Sequence, residues 1–535
     1  MCYIRSIIPD IKLVELAYEY KYISGKETNT TMKKNNLSLI FLCMFFTILI
    51  ILRRAWISDD AYITLRTVDN FVNGYGLTWN VAERVQTYTH PLWMFLLSIF
   101  YFITREPFYT TILISLLTTG IAIYLLLKKI AVKQLVIILA SLILGLSRAF
   151  VDYSTSGLEN PLSHLIIVIF YVYFFTERDA FTKKDMTYLS LIASFGLINR
   201  MDLILVFIAP LAYELIRSRK WKYLLSILAG QIPFLIWEMF SLIYYGYFIP
   251  NTAYAKLPNG IFRSVILRQG FTYFLNLLTN DPLTFLIIFI GLLLPLLNKE
   301  NKKGIITSLG ISLYLLYILW VGGDFMSGRF FTVPLFLAVI NIAINSSVFS
   351  KKGLYTLICI TLILGLSIPY HTLTINIPEI DNEPSGIDDE RIYFYPGMSL
   401  ITRYRNHLQP DYEWKTQGEE FRETDIKVTH ALAIGMFGYY SGPDIHIIDG
   451  MGLTDPLISK LPSSYDSYFR PGHVVRDFPE GYRQSIEESK NLIEDPELKE
   501  YYEKVLIITR GNIFAWDRIK TIFEMNFGKY DYLLK

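Results

Sequence analysis

Nine apolar runs, at about 36–52, 109–127, 134–150, 161–176, 222–241, 283–297, 304–321, 330–347 and 353–369, approach the thickness of a bilayer in length. Nothing constrains the fold more. Hydrocarbon offers backbone N–H and C=O groups no partner but each other, so each run is expected to be a helix. Two shorter runs, about 187–199 and 203–216, flank the polar tetrad Asn199-Arg200-Met201-Asp202. At ~1.5 Å per residue each is only about 20 Å long, short of the ~30 Å core, which predicts a hairpin with its tip in a water-filled vestibule. A chain that is 52% hydrophobic and only 18% charged, with a mean hydropathy of +0.35, fits the same class, a polytopic membrane protein. Net charge is +2, which gives no hold for nucleic acid. Of the three cysteines, Cys2, Cys43 and Cys359, the last two sit in apolar runs, so neither a disulfide framework nor a zinc site is expected.

Charge between the runs sets an expected orientation. If the doubtful apolar stretch Pro91–Ile103 lies at the interface without crossing, then Lys33/Lys34, Lys128/Lys129/Lys133, Arg178/Lys183/Lys184, Arg217/Arg219/Lys220, Lys299/Lys302/Lys303 and Lys351/Lys352 all fall on one side. That is the pattern of cytoplasmic loops. The expectation is therefore eleven spans, N-terminus in and C-terminus out, with Arg53-Arg54 on the wrong side and snorkelling along the interface. Residues 1–31 are polar and precede Met32-Lys33-Lys34, so they read as an extension upstream of the natural start or as a cytoplasmic tail. No cleavable signal peptide is read, because Arg53-Arg54 follows the first apolar run where a small-residue site belongs. Residues 32–370 form the transmembrane domain, with a first outer loop at 53–108, and 371–535 read as a soluble extracytoplasmic α/β domain. The fold class is thus mainly α. Trp414, Tyr439, Tyr440 and Trp516 in that domain are read chiefly as packing, with a sugar platform as the other role.

With this orientation every segment of unusual composition lies on the outer side. These are Ser58–Trp93, Asp152–Pro161 (DYSTSGLENP), Asn199–Asp202, Tyr245–Lys256 (YGYFIPNTAYAK) and Gly322–Arg329 (GGDFMSGR). They supply the carboxylates Asp59, Asp60, Glu159, Asp202 and Asp324 and the cations Arg66, Arg200, Lys256 and Arg329. Carboxylates at a membrane mouth are costly unless used. A sugar transferase with a lipid-linked phosphate donor needs this mixture. A carboxylate, Asp59 or Asp60, deprotonates the acceptor hydroxyl. Lys256, Arg329, Arg200 and Arg66 hold the departing phosphate, and Glu159, Asp202, Asp324, His90 and Asn251 are expected to line the pocket.

The plain alternatives are equally physical. Ser58-Asp59-Asp60 can open a helix as its cap. Arg66 can pair with Asp59 two turns away, Glu159 can cap the run that starts near Pro161, and Arg200 can pair only with Asp202. Lys256, after the turn-forming Pro250-Asn251-Thr252, can snorkel, and Asp324 can pair only with Arg329. The seven histidines, among them His90, His371, His407, His430, His446 and His473, show no ligand spacing, so no metal or bound cofactor is expected, although a divalent ion is compatible. A flippase of lipid-linked sugars without chemistry is the rival function. Transporters show internal repeats and midplane polar residues, and neither is found here.

DDAYITLR, GYGLTWN and ERVQTYTHPLW, followed by SGLENP, NRMD, PNTAYAK, GGDFMSGRF, GMFGYYSGPDIHIIDGMGLTDP and RPGHVVRDFPEGY, cover most of 55–485. In order and content they resemble the GT-C glycosyltransferases, specifically the terminal arabinofuranosyltransferases of mycobacterial cell-wall assembly. The resemblance implies a polyprenyl-phosphate-linked sugar donor, a cell-envelope glycan acceptor, inversion at the anomeric carbon, and a catalytic carboxylate in the first outer loop at Asp59 or Asp60. It places His90 where the family pattern implies a small residue.

Overall fold

The computed structural model describes residues 30–178, 180–256, 261–374, 385–401, 412–463 and 470–534, with side chains from residue 36 onward. The expected extension 1–31, apart from the backbone of its last two residues, and His407 lie outside these. In chain order the helices are α1 Thr30–Arg53, α2 Asp59–Val72, α3 Pro91–Thr104, α4 Pro107–Leu125, α5 Gln134–Leu146, α6 Arg148–Asp152, α7 Asn160–Phe175, α8 Lys183–Asn199 and α9 Ile204–Ser218. Then come α10 Tyr223–Gly230, α11 Ile232–Tyr244, α12 Asn251–Lys256, α13 Arg263–Asn280, α14 Pro282–Leu293, α15 Lys302–Val321, α16 Thr332–Ile344, α17 Lys351–Ser367 and α18 Glu390–Met398. The C-terminal part holds α19 Glu413–Arg422, α20 Met436–Ser441, α21 Tyr482–Glu487, α22 Pro496–Arg510, α23 Trp516–Asn526, and the strands β1 Val428–Ala431 and β2 His446–Asp449.

Each of the eleven apolar runs falls on helix. Among the described residues, however, three helices alone are long and apolar enough to cross a membrane, and five if each bent pair is one span. The bends have local causes. Between α13 and α14 the chain turns by 111°. Pro282 opens α14, where the Asp281 carboxylate accepts the Thr284 N–H at 3.1 Å and its hydroxyl at 2.6 Å. The 51° bend between α10 and α11 falls just before Pro233. Helix α13 carries scattered polar residues and no continuous apolar run, so hydropathy passes over it.

The segments expected on the outer side meet at one end of this bundle. The Ser58 N–H donates to Ser156 O at 2.9 Å, and the Trp93 indole to Gly157 O at 2.9 Å. Gly157 has φ +85°, and a Cβ there would stand 2.6 Å from that of Ala61, so only glycine lets this loop touch α2. The Tyr88 and Tyr245 hydroxyls are 2.8 Å apart, and the Asn251 N–H donates to Gln86 O at 2.9 Å.

The C-terminal region is built onto this end. β1 and β2 pair in parallel with α20 between them, a minimal βαβ unit of two short strands. Phe394, Met398 and Met436 join the same apolar core as the helical bundle, and Trp414, Tyr439 and Tyr440 pack against it, whereas Trp516 is 78% exposed. Asn80 pairs with Ile447 at both its N–H and C=O, at 3.1 Å each. Arg54 departs from expectation. It does not snorkel. It is buried and grips Asp152 with two bonds of 2.9 and 3.2 Å, because the buried Asp152 carboxylate offers more than the interface does.

Asn251, read from sequence as a pocket residue, clips the two parts together. Its amide donates to the carbonyls of Gly452, Leu453 and Asp455 at 2.9, 3.1 and 3.0 Å, and its oxygen accepts from Ser459 at 2.8 Å. Asn251→Ala strands those carbonyls and is expected to cost about 1–3 kcal/mol. A lowered Tm of the purified chain, with turnover per folded molecule preserved, is the expected result; an unmoved Tm removes the clip.

Candidate active site

Ser58 settles the capping question at the head of α2. Its extended backbone (φ −82°, ψ 160°) lets Oγ accept the Ala61 N–H at 3.3 Å, which leaves both carboxylates of the first turn to other work. The two diverge. Asp59 is buried, and its oxygens accept the N–H groups of Met436 and Gly435 at 2.6 and 3.1 Å. Gly435 has no room for a side chain, since a Cβ would overlap the Asp59 backbone. Burial pushes the Asp59 carboxyl up to about 7, with the neighbouring Asp60 adding to it, against the pull of the two N–H donors. Asp60 is half-buried and makes no hydrogen bond or ion pair with the described residues.

Glu159 is the hub of the charges beside this pair. It stands at the head of α7 without capping it, since its side chain is turned to cations. Arg200 reaches it from the α8–α9 connection, and Arg329 donates to both its oxygens at 3.2 and 3.4 Å. Each arginine has a second carboxylate. Arg200 Nε donates to Asp202 at 2.9 Å, and Arg329 is 3.3 Å from Asp324. The Tyr314 hydroxyl completes the shell of Asp202 at 3.0 Å. Burial alone would raise the Glu159 carboxyl, yet Arg329, Arg200 and His90 together hold it well below the usual carboxylate range.

His90 bridges α2 to this hub. Its Nδ1 lies 3.2 Å from Glu159 Oε2 and its Nε2 2.9 Å from Thr64 Oγ1. Burial lowers its imidazolium to about 4, helped by Arg329, Arg200 and Lys256 and opposed by Glu159, so it is neutral near pH 7. A neutral ring facing an anion places the proton on Nδ1 and leaves Nε2 to accept from Thr64.

Lys256, at the end of α12, has no carboxylate partner among the described residues. Its ammonium lies 5.8 Å from the centre of the Phe325 ring, and its stem fills the space a side chain on Gly472 would need, since a Cβ there would stand 3.2 Å from Cε. Arg470 packs over the same ring at 5.2 Å and pairs with Asp388 at 2.7 Å and Glu390 at 3.9 Å. Burial, then repulsion from Asp60, lifts Glu390 far above the usual range. Arg470 and His473 belong to the RPGHVVRDFPEGY stretch, so the sequence carries a signal for them, although it marks no role for either. Glu390 sits in a polar stretch with no such signal.

Arg66 stands apart from this cluster, in neither of its expected roles. All three guanidinium nitrogens donate to carbonyls, of Trp79 (2.9 Å), Gly438 (2.5 Å) and Ile445 (2.8 Å), and its plane stacks 4.2 Å over the Trp79 ring. Sequence spacing places it on the face of Asp59, but the backbone carbonyls arriving from 438–445 are nearer. The rest converge: Asp59, Asp60, Glu159, Arg200, Asp202, Asp324, Arg329, His90 and Lys256. Arg329 is charge-stabilised by Asp60, and Lys256 acts on His90, so the aspartates and the cations share one field. Among the described residues no three His, Cys, Asp or Glu side chains gather to hold a metal ion.

No family model matches the chain. It is 23% identical over 517 residues to a protein of Mycobacterium tuberculosis named terminal β-(1→2)-arabinofuranosyltransferase, across 80% of this chain and 82% of that one. A Corynebacterium glutamicum protein of the same name is 26% identical over 388 residues, 64% of this chain. The chain resembles the terminal arabinofuranosyltransferases. The match spans little more than half, 55%, of the corynebacterial protein's own length.

Proposed function

We propose that this protein is an integral-membrane glycosyltransferase that moves a sugar, arabinofuranose by its resemblance, from a polyprenyl phosphate to a cell-envelope glycan on the outer face of the membrane. One observation carries the reading: a half-open carboxylate, Asp60, acts on Arg329 of the buried ion-pair cluster, and Lys256, which has no acid partner among the described residues, acts on His90 of the same cluster. Asp60 takes the proton of the acceptor hydroxyl as its oxygen attacks the anomeric carbon. The bond from that carbon to the phosphate oxygen breaks with inversion. Lys256 neutralises the leaving phosphate, while Arg200 and Arg329, already bound to carboxylates, fix the pocket walls and contribute field. A phosphate is a weak base, so the leaving group needs no proton. A flippase has no use for a base beside the phosphate site.

Incubation of the purified protein with radiolabelled polyprenyl-phosphoryl arabinose and an arabinan oligosaccharide tests the function. Labelled glycan is the expected product, with none formed from a nucleotide sugar. Transfer from the nucleotide sugar instead, or no transfer while the labelled lipid changes leaflet in proteoliposomes, refutes it. Lys256→Ala is expected to raise KM for the donor roughly 10- to 100-fold, the worth of one charge-assisted hydrogen bond. A KM within twofold of wild type takes Lys256 out of the phosphate site.

A further inference from the structure

Helix α23 has an apolar face on each side, where its own core needs one. Arg518, Ile522 and Met525 are buried against the rest of the C-terminal region. Trp516, Phe523 and the residue that ends the helix, Phe527, are 78, 49 and 79% exposed. At ~100° per residue they fall within about 40° of arc, on the side away from the buried residues. Phe514, just ahead of the helix, is exposed as well. Large aromatic side chains gathered in one exposed stripe mark a contact surface.

The place of α23 in the fold says what the contact is. Helices α10 and α11 together make one candidate membrane span, and Ile232, Leu235, Ile236, Met239 and Ile243 form an exposed apolar stripe along α11 at helical spacing. α23 lies across the end of that stripe. The buried Arg518 guanidinium donates to the Ile243 and Tyr244 carbonyls, which the end of α11 leaves open, at 2.7 and 2.9 Å. At the other end of α23 the Asn526 amide donates to Gly246 O at 2.7 Å, and its oxygen accepts the Phe248 N–H at 3.4 Å. Both ends of the helix are thus tied to one short corner, residues 243–248. Phe248 and Ile249, exposed at that corner, extend the apolar surface from Ile243 toward Phe527. The aromatic stripe therefore continues the lipid-facing side of α11, at the level where a span leaves the hydrocarbon. Aromatic rings favour that level, and Lys520, at the edge of the stripe, can lay its stem on it while its ammonium stays among the headgroups. We propose that α23 is a membrane-surface anchor, lying in the bilayer interface with Trp516, Phe523 and Phe527 among the lipids. The last part of the C-terminal region is then a membrane element and not a soluble one. The inference rests on α10 and α11 spanning the bilayer, and not on the transfer reaction.

Tryptophan fluorescence of the full chain tests this in nanodiscs of phosphatidylcholine, either plain or brominated near the top of its acyl chains. The emission lost in Trp516→Phe isolates Trp516. In that background Phe527→Trp reports on the other end of the stripe, and Met239→Trp on the lipid-facing side of α11. All three positions are exposed, so the variants should fold. Brominated lipid is expected to quench each of the three signals about twofold or more, as contact at the depth of an interfacial helix requires. Quenching at Met239→Trp but not at both ends of the stripe overturns the anchor and leaves the span standing. Quenching at none of the three removes the span as well. Trp516 quenched by acrylamide alone puts the stripe in water, and Trp516 quenched by neither agent puts a protein surface over it; both results overturn the proposal.

Discussion

Asp60→Asn is expected to lower kcat for sugar transfer by about 10²- to 10⁴-fold, the usual worth of a positioned general base, with donor KM little changed. Asparagine keeps the shape and loses the proton acceptor. Asp60 is the better base of the two because its carboxylate is half-buried and bound to no described residue, whereas both oxygens of Asp59 are engaged by Met436 and Gly435. Asp59→Asn should therefore behave differently. One oxygen and an amide would face two N–H donors, so α20 would dock less firmly on α2, and Tm should fall along with turnover. Steady-state kinetics and thermal unfolding on both variants decide between them. Near-normal kcat in Asp60→Asn, with kcat lost at unchanged Tm in Asp59→Asn, would exchange their roles.

Much of this site is legible in the amino-acid chain for a physical reason. Charged residues between apolar runs are expensive, so Glu159, Arg200, Asp202, Asp324, Arg329 and Lys256 stand out wherever they occur; five of them, from three loops, do meet in ion pairs, and Lys256 acts on the same cluster through His90. Which partner each takes is not legible. Arg66 shares a helical face with Asp59, but two of its three carbonyl partners are 372 and 379 residues away, and no spacing rule reaches that far. Asn251 is expected in the pocket, whereas its four side-chain bonds go to the C-terminal region. The apolar runs locate helices well, since periodicity and hydropathy are local. They do not show α13, nor that short helices and sharp bends interrupt several of the runs, because those follow from packing. His90 stands out as a departure from the family pattern, but its bridging of Thr64 to Glu159 depends on α2 and the residue preceding α7 coming within reach of one imidazole, which no local signal reports.

Glu159→Gln is the substitution expected to cost most stability. Glu159 is fully buried, and three elements lean on it through Arg200, Arg329 and His90. Removing one partner of a buried ion pair costs roughly 3–5 kcal/mol, because the remaining charge keeps its desolvation and loses its compensation. Here Asp202 still faces Arg200 and Asp324 still faces Arg329, so the lower end, about 3 kcal/mol, is expected. Arg200 would then keep only Asp202, and Arg329 only Asp324, each having lost its second carboxylate. The same hub sets acid lability. The folded carboxyl is held below its unfolded value of about 4.3, so its contribution is present above that pH and lost as pH falls toward the folded value. Denaturant titrations in detergent at pH 7 and pH 3.5 should show wild type losing stability between the two. Glu159→Gln, already weakened at pH 7, should lose less over the same interval. Equal stability of the two proteins at pH 7 would show that the arginines are held by Asp202 and Asp324 alone.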